Sequence, residues 1–479
     1  MKMNRTNTVL CVALAGLFFL CGCTLAPRYT RPELPVPGEW PMGPAYGNAP
    51  VSAGAVSAAD MSWKEVFPDA QLQRVIDMAL TGNRDLRIAA LNVERARALY
   101  GVQRAELLPT VDATARGSVR QVPADLSGVG RIIRPEEYSV NFGVAAWEID
   151  FFGRIRSLKD AALEQYLASE QARRSARILL ISGVANAYFS LAADRETLKL
   201  ALSTIETQQA AYDLIKRRFD VGVSPELDLR QAQTRVDAAR VDAAFYTRKV
   251  AQDRNALDLL VGARVPDDLF PEDLDSVVPP TEIVAGLPSE VLLRRPDIMQ
   301  AENLLRAANA NIGAARAALF PRISLTASLG TASADLDRLF GSGQGTWNFA
   351  PQVALPIFDA RAWAALGVVK AEREILKTQY EKTIQAAFRD VADALAVGGT
   401  IEEQLVAQKS FTEAVTETYR LSNLRYEKGI DSFLGVLDAQ RSLYAAQQAL
   451  ISTRFARLAA RINLYAVLGG GDETATASR

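Results

Sequence analysis

The chain has 479 residues, is 49% hydrophobic and carries a formal net charge of −1. It contains no histidine, which removes the commonest general base and the usual zinc ligand, and the near-neutral charge gives no sign of nucleic-acid binding. Neither a GxSxG motif nor a P-loop occurs, so we expect no enzyme activity, no metal site and no cofactor.

Residues 1–22 predict a signal peptide. Lys2 and Arg5 give a positive start, and residues 9–20 form an apolar run too short to span a bilayer in the mature protein. The run ends in Leu-Cys-Gly-Cys at positions 20–23, which resembles a bacterial lipobox. That resemblance implies cleavage before Cys23 and acylation of Cys23, for example with palmitate. An ordinary signal peptide with incidental cysteines is the alternative.

Residues 23–62 predict an extended, lipidated arm. Seven prolines fall between positions 27 and 50, and such a run favours extended chain over helix or central strand. Thr24 is not the aspartate that commonly retains lipoproteins at the inner membrane. Sorting to the outer membrane is therefore implied by the lipobox resemblance.

An internal repeat dominates the rest of the chain. Residues 85–109 align with residues 297–321 at a constant offset of 212, and later motifs align at an offset of 207. We therefore predict two copies of one unit, at 63–262 and 289–469, joined by a linker at 263–288. Each copy reads as helix, strand, strand, very long helix, helix. Residues 470–479 predict a disordered tail.

Four stretches have the alternation typical of strands, at 110–120, 138–149, 322–332 and 346–357. Their length suits tilted strands that cross a bilayer, although a water-soluble sandwich gives the same alternation. Four strands cannot close a transmembrane barrel, and open sheet edges are not tolerated in lipid. A membrane-spanning chain must therefore share its barrel with copies of itself, and two or three copies both satisfy the pattern.

The two long helices are predicted at 153–219 and 361–427. Neither contains proline, and at ~1.5 Å per residue each would span roughly 100 Å. Gly398 and Gly399 should loosen the middle of the second. Helices at 225–261 and 432–468 follow, and their three-and-four spacing of small and apolar residues predicts a coiled-coil seam.

The turns that join each long helix to the next one are also paired. Gly222 and Gly429 should end the long helices, Ser224 and Asp431 should cap the helices that follow, and Pro225 should occupy the first helical position. We expect these tips to lie at the end of the long helices opposite the strands, which is a natural place for a partner to dock.

Several segments together resemble the outer-membrane efflux lipoproteins of the TolC family, of the OprM type: CTLAPRYTRPELPVP, WEIDFFGRIRS, FDVGVSPELDLRQAQ, NANIGAARAALFP and VLDAQRSLYAAQQ. The resemblance implies an α+β membrane protein that forms a homotrimer. Four strands per chain would give a 12-strand outer-membrane β-barrel, which continues into a long α-helical coiled-coil tunnel across the periplasm. The implied function is the exit duct of a tripartite multidrug efflux system, with a periplasmic adaptor and an inner-membrane RND pump as partners.

The resemblance also implies site residues. A periplasmic gate is placed at Leu434, Asp438 and Arg441, and a closed-state latch at Asp194 and Tyr426. The adaptor would dock on the two tips, formed by Val221, Gly222, Val223, Ser224, Lys428, Gly429, Ile430 and Asp431. This chain departs from the family pattern at Gly435, where some members have an acidic residue, and at Asp431, where a basic residue is usual.

Other interpretations remain open at this point. Asp438 and Arg441 are three residues apart and could form a simple surface ion pair on one helix. The duct could serve metal efflux or type I secretion, although six methionines and no histidine argue against soft-metal selectivity in the tunnel. A non-conducting envelope scaffold or adhesin could use the same helices.

Overall fold

A computed structural model of the chain describes residues 24–46, 61–283, 285 and 292–471. These residues divide into two compact units. The first, here the strand unit, lies within residues 1–32, 93–169 and 301–380, and the second, here the helical unit, lies within 33–92, 170–300 and 381–479. Each unit takes corresponding parts from both predicted repeats, so the compact units do not coincide with the repeats.

The helices and strands follow the predicted order, except that three helices instead of one precede the first strand. In chain order they are α1 Trp63–Val66, α2 Ala70–Gly82, α3 Arg84–Ala105, β1 Val111–Val119, β2 Glu136–Glu148, α4 Arg154–Asp220, α5 Glu226–Val261, α6 Pro296–Ala317, β3 Arg322–Ser333, β4 Gly345–Ala354, α7 Ala360–Glu427 and α8 Phe433–Val467. The predicted bounds of the four strands and of the last two helices of each repeat differ from these by at most three residues.

The strand unit contains one antiparallel sheet in the order β1-β2-β3-β4. Val111 pairs with Val144, Tyr138 with Ser333, and Arg322 with Ala354. Within the described residues β1 and β4 are each paired on one side only, and every residue of β4 is exposed. The sheet therefore presents two open edges and an uncovered surface.

A bulge interrupts the pairing of β2 with β3. The register shifts between Val144 and Trp147, and Ala146 adopts a φ of 52°, a left-handed conformation that is unusual for a residue other than glycine. The Ala146 amide donates a hydrogen bond to Thr326 Oγ1 at 3.1 Å. This side-chain contact satisfies the Ala146 amide at the point where the hydrogen bonds between β2 and β3 are interrupted.

Ion pairs fix the start of the first long helix directly after β2. The Arg154 guanidinium donates two hydrogen bonds of 2.8 Å to Glu148, and Arg322 at the start of β3 contacts the same carboxylate at 2.7 Å. The Arg156 amide donates to Asp150 at 2.9 Å, which satisfies a free N–H of the first helical turn. Gly153 turns the chain with a φ of 74°. These contacts account for the WEIDFFGRIR segment.

The helical unit has a closed apolar core. It is formed by α1, α2, the middle of α4, the ends of α5 and α8, and the linker after α5. Tyr188, Phe189 and Tyr465 are fully buried, and Phe67 meets Tyr465 edge to face with ring centroids 5.3 Å apart. α4 contains a window that is long and apolar enough to cross a membrane, but 56% of it is buried here, as expected of a core helix.

Two expectations for the helical unit are wrong. α7 is continuous through Gly398 and Gly399, and a Cβ at position 399 would lie only 2.3 Å from the carbonyl oxygen of Ala45. Glycine is present there because the N-terminal arm crosses the helix closely. The predicted tail begins too early, since Gly470 is buried against Ile178 and its amide donates to the Tyr465 carbonyl at 3.0 Å. Residues 472–479 of that tail lie outside the described residues.

Candidate functional site

The two tips, in the helical unit, share one backbone geometry. The Val223 amide donates to the Arg218 carbonyl and the Gly222 amide to the Phe219 carbonyl, both at 2.8 Å, which is a Schellman ending. Ile430 and Gly429 donate to the carbonyls of Arg425 and Tyr426 at 2.9 Å in the same way. Gly222 and Gly429 have φ values of 76° and 71°, as this ending requires.

The predicted caps of the next helices are wrong by one residue. α5 and α8 begin at Glu226 and Phe433, so Pro225 and Ser432 occupy the cap positions, and neither makes a side-chain cap hydrogen bond. Asp431 does not cap because its carboxylate accepts hydrogen bonds of 2.5 and 3.1 Å from Arg425. Those hydrogen bonds hold the pKa of Asp431 below its ordinary value.

All of the predicted docking residues are exposed except Ser224, which is half-buried. Val221, Val223 and Ile430 expose 73%, 65% and 61% of their surface at the turns. Apolar side chains that are this exposed on a rigid turn are available to a partner. The two turns therefore present an accessible surface, and adaptor docking on it stays a prediction.

Contacts of Arg218, Tyr426 and Phe433, here named the tip tie, join the second tip to the first. The Arg218 guanidinium donates a hydrogen bond of 2.6 Å to the Tyr426 hydroxyl, and its centre lies 5.8 Å from the Tyr426 ring centroid. Tyr426 in turn contacts the Phe433 ring at 5.2 Å between centroids. Phe433 packs against a small buried cluster of the first tip that contains Ile215 and Leu229.

The predicted gate residues occupy one face of α8. Leu434, Asp438 and Arg441 follow one another at spacings of four and three residues, so their side chains lie along one side of the helix. Leu434 is 52% exposed, whereas Val436 and Leu437 on the other side are buried. The Asp438 carboxylate forms an ion pair with the Arg441 guanidinium at 3.2 Å. This is the surface ion pair that was the alternative interpretation of these two residues.

Asp194 and Tyr426, the predicted latch, are not brought together. Asp194 lies 3.7 Å from Lys249 of α5, whereas Tyr426 is bonded to Arg218. Asp194 and Arg218 are 24 residues apart on α4, which is about 36 Å at ~1.5 Å per residue. The two residues therefore have separate partners within one chain, and their role as a closed-state latch stays a prediction.

Sequence reasoning missed Arg218 and Phe433, which make the contacts of Tyr426. A signal was available, because Arg218 is the counterpart of Arg425 at the offset of 207 that relates the two tips. Among the described residues no group of three or more acidic or sulfur ligands is suited to a metal ion. Cys23 lies outside the described residues.

Comparison with known proteins now identifies the family. The sequence profile of the outer membrane efflux protein family matches residues 75–263 and again residues 287–470. The chain belongs to this family. It is 50% identical over 468 residues to the antibiotic efflux pump outer membrane protein ArpC of Pseudomonas putida and equally to the toluene efflux pump outer membrane protein TtgC of the same species, covering 97% of this chain and 96% of each relative. The open-state crystal structure of the Neisseria gonorrhoeae MtrE outer membrane channel matches with a TM-score of 0.85 and 38% identity over 94% of this chain and 98% of that one.

Proposed function

We propose that this outer membrane efflux protein is the exit duct of a tripartite RND-type multidrug efflux system and works as a homotrimer. The observation that carries the proposal is the four-stranded sheet with two open edges, which cannot stand alone in lipid. Three copies supply 12 strands and close the barrel, and their long helices form a periplasmic tunnel. The relatives' efflux names and the channel structure support export over a scaffold.

Exposed apolar residues support self-association. α3 has no buried residue in the isolated chain, and Ile88, Leu91, Leu99 and Val102 expose between 52% and 65% of their surface. Its counterpart α6 is also 22 residues long and begins 212 positions later, yet it contains buried residues such as Ile298 and Ile312. Neighbouring copies would cover α3. A protein that stays monomeric in mild detergent, measured by light scattering, would refute the trimer.

The internal repeat is part of the same proposal. α3 and α6 begin 212 positions apart, and α5 and α8 begin 207 positions apart, as the sequence alignment requires. The family profile also matches the chain twice. Two copies of one unit per chain and three chains would give a wall with six similar segments.

The proposed gate is the exposed face of α8. Three copies of Asp438 around a threefold axis would bring three carboxylates into one collar, where like charges repel and attract cations, and three copies of Leu434 would add an apolar constriction. The tip tie would hold each second tip inward through Arg218 and Tyr426. Adaptor and pump would open the gate by engaging the tips.

Adaptor docking is proposed on the exposed turns. Val223→Asp and Ile430→Asp would place charge on this surface without changing either glycine. We expect both variants to assemble normally and to lose adaptor cross-linking and drug resistance in cells. Intact cross-linking in both would refute docking at the tips. Lys409→Asp, at an exposed position of α7 outside the docking residues, is the control for added negative charge.

Lipidation of Cys23 stays a prediction of the lipobox. The chain would then be held in the outer membrane by its acyl chains as well as by its strands. Incorporation of labelled palmitate into the wild type and its absence from Cys23→Ser would support it. Equal labelling of both would refute it.

A further inference from the structure

The sheet of the strand unit has one apolar and one polar face. Odd-numbered positions 111 to 117 of β1 pair with apolar or aromatic residues of β2, whereas even-numbered positions 112 to 118 pair with Gly143, Asn141, Ser139 and Glu137. In a transmembrane barrel the apolar face contacts lipid and the polar face lines the lumen. The even-numbered residues of β1 therefore line the lumen of the proposed barrel.

Arg116 lies on this polar face in the middle of β1, directly opposite Ser139. Its side chain is exposed, and within the part of the chain that the structure describes it makes no hydrogen bond and no ion pair. Arg322 on the same face differs, because it is paired with Glu148 at 2.7 Å. The charge of Arg116 is therefore available to solutes in the lumen.

The charges closest to Arg116 do not cancel it. Glu137 pairs in register with the residue between Arg116 and Arg120, so one carboxylate faces two guanidinium groups at this level. Asp112 is four residues away, which is about 13 Å along a strand. The polar face of β4, which would meet β1 of the next copy, has only uncharged residues, namely Thr346, Asn348, Ala350, Gln352 and Ala354. Closing the barrel therefore adds no strand carboxylate beside Arg116.

The internal repeat shows that the strand does not require this charge. β3 is the counterpart of β1 at the offset of 212, and it has Ser328 where β1 has Arg116. The other charged residues of the β1 polar face, Asp112 and Arg120, correspond to a serine and an alanine. Both strands nevertheless form the same antiparallel pairing with their neighbours. The position of Arg116 in the lumen therefore points to a role in conduction and not in folding.

Three copies of the chain would bring the Arg116 side chains into one ring. Twelve strands spaced ~4.8 Å apart and tilted by about 40° close at a backbone radius of about 12 Å. An extended arginine reaches ~6 Å from its Cα, so the guanidinium groups would lie about 6 Å from the barrel axis. This distance is shorter than the Debye length of ~10 Å at about 0.1 M salt. The potential of the ring therefore extends across the whole lumen.

We propose that the three Arg116 guanidinium groups form an anion-attracting ring that favours solutes with a carboxylate, sulfate or phosphate group over organic cations. Rings of charged side chains set the selectivity of channels in this way. The ring has the opposite sign to the Asp438 collar proposed at the periplasmic gate, so the two ends of the duct select differently. This inference rests on the proposed trimeric duct.

Ion selectivity in planar bilayers tests the ring in the full-length protein. Every variant is made in the Leu434→Ala, Asp438→Ala background, so that the periplasmic collar does not contribute. The ratio of chloride to potassium permeability is obtained from the reversal potential in a KCl gradient around about 0.1 M, and again around about 1 M, where the Debye length falls to ~3 Å. Arg116→Gln removes the charge, Arg116→Lys keeps it, and Ser328→Arg adds a charge at the equivalent position of β3.

Near 0.1 M salt, Arg116→Gln should lower the permeability ratio several-fold below that of its parent, Arg116→Lys should keep the parent value, and Ser328→Arg should raise it. These differences should vanish near 1 M, because the ions then screen the ring from the axis. A ratio that Arg116→Gln leaves unchanged, or that Arg116→Lys lowers equally, would overturn the ring. If Arg116→Gln does not assemble, an unchanged ratio in Ser328→Arg would overturn it instead. Absence of conductance from every inserted protein would refute the duct and the ring with it, whereas conductance without a change in selectivity refutes the ring alone.

Discussion

The tip tie gives a sharp test of how the proposed gate is held shut. Tyr426→Phe removes the hydroxyl that accepts from Arg218 at 2.6 Å and keeps the ring that contacts Phe433. A hydrogen bond from a charged donor contributes about 1.5–3 kcal/mol when it is well shielded. Both side chains are half-buried here, so we take ~1 kcal/mol per chain.

The number of chains that open together then sets the size of the effect. If three chains open in one step, the loss sums to ~3 kcal/mol and raises the ratio of open to closed channels about 100-fold. If each chain opens by itself, the ratio rises only about fivefold per chain. The magnitude therefore also reports how cooperative the opening is.

The assay is single-channel recording in planar bilayers without adaptor or pump. Tyr419→Phe is the matched control, because Tyr419 lies earlier on α7 and its hydroxyl has no hydrogen bond within the described residues. Open probability should rise for Tyr426→Phe and not for Tyr419→Phe. An unchanged Tyr426→Phe channel, in protein that still responds to changes at Leu434 and Asp438, would refute the tip tie as a restraint.

Three further predictions follow from the same structure. Leu434→Ala combined with Asp438→Ala should raise single-channel conductance strongly by removing the apolar constriction and the carboxylate collar, and an unchanged conductance would place the gate elsewhere. Burial and the adjacent Asp194 carboxyl raise the pKa of Asp253 from 3.8 to about 7. The folded chain then holds a proton that the unfolded chain releases near pH 3.8, so this group's contribution to stability falls as pH rises from about 4 to 7. Asp253→Asn should flatten the change in Tm between pH 5 and 8, and a slope equal to that of the wild type would contradict this. Ala146→Gly should raise the dissociation temperature of the SDS-resistant oligomer by relieving the φ of 52°, a gain of about 0.5–1 kcal/mol, and a lower temperature would show that the Ala146 methyl contributes more than the backbone strain.

Local patterns were sufficient for the strands and helices. Alternation located β1 and β3 to within one residue, and the proline-free stretches located α4 and α7 equally well. Both signals depend only on near neighbours in the chain. The offset between the repeats added a check, because each segment had to appear twice.

Contacts between distant segments could not be predicted in this way. The partner of Tyr426 is 208 residues away, and no spacing rule connects the two positions. Gly399 seemed a weak point of its helix because the sequence does not reveal that Ala45 crosses it. The Asp431 cap failed for a local reason, since Arg425 competes for the carboxylate that would otherwise bind backbone amides.

A single difference between the repeats explains why the tip tie uses the arginine of the first tip and not that of the second. Arg218 and Arg425 occupy equivalent positions in identical Schellman endings. In the second tip the residue six positions later is Asp431, and Arg425 is bound to it within its own turn. In the first tip that residue is Ser224, which offers no charge, so Arg218 is left to reach Tyr426 of the other tip. The repeat thus supplies two equivalent arginines. Arg425 has Asp431 beside it and stabilises its own turn, whereas Arg218 has Ser224 and joins the first tip to the second.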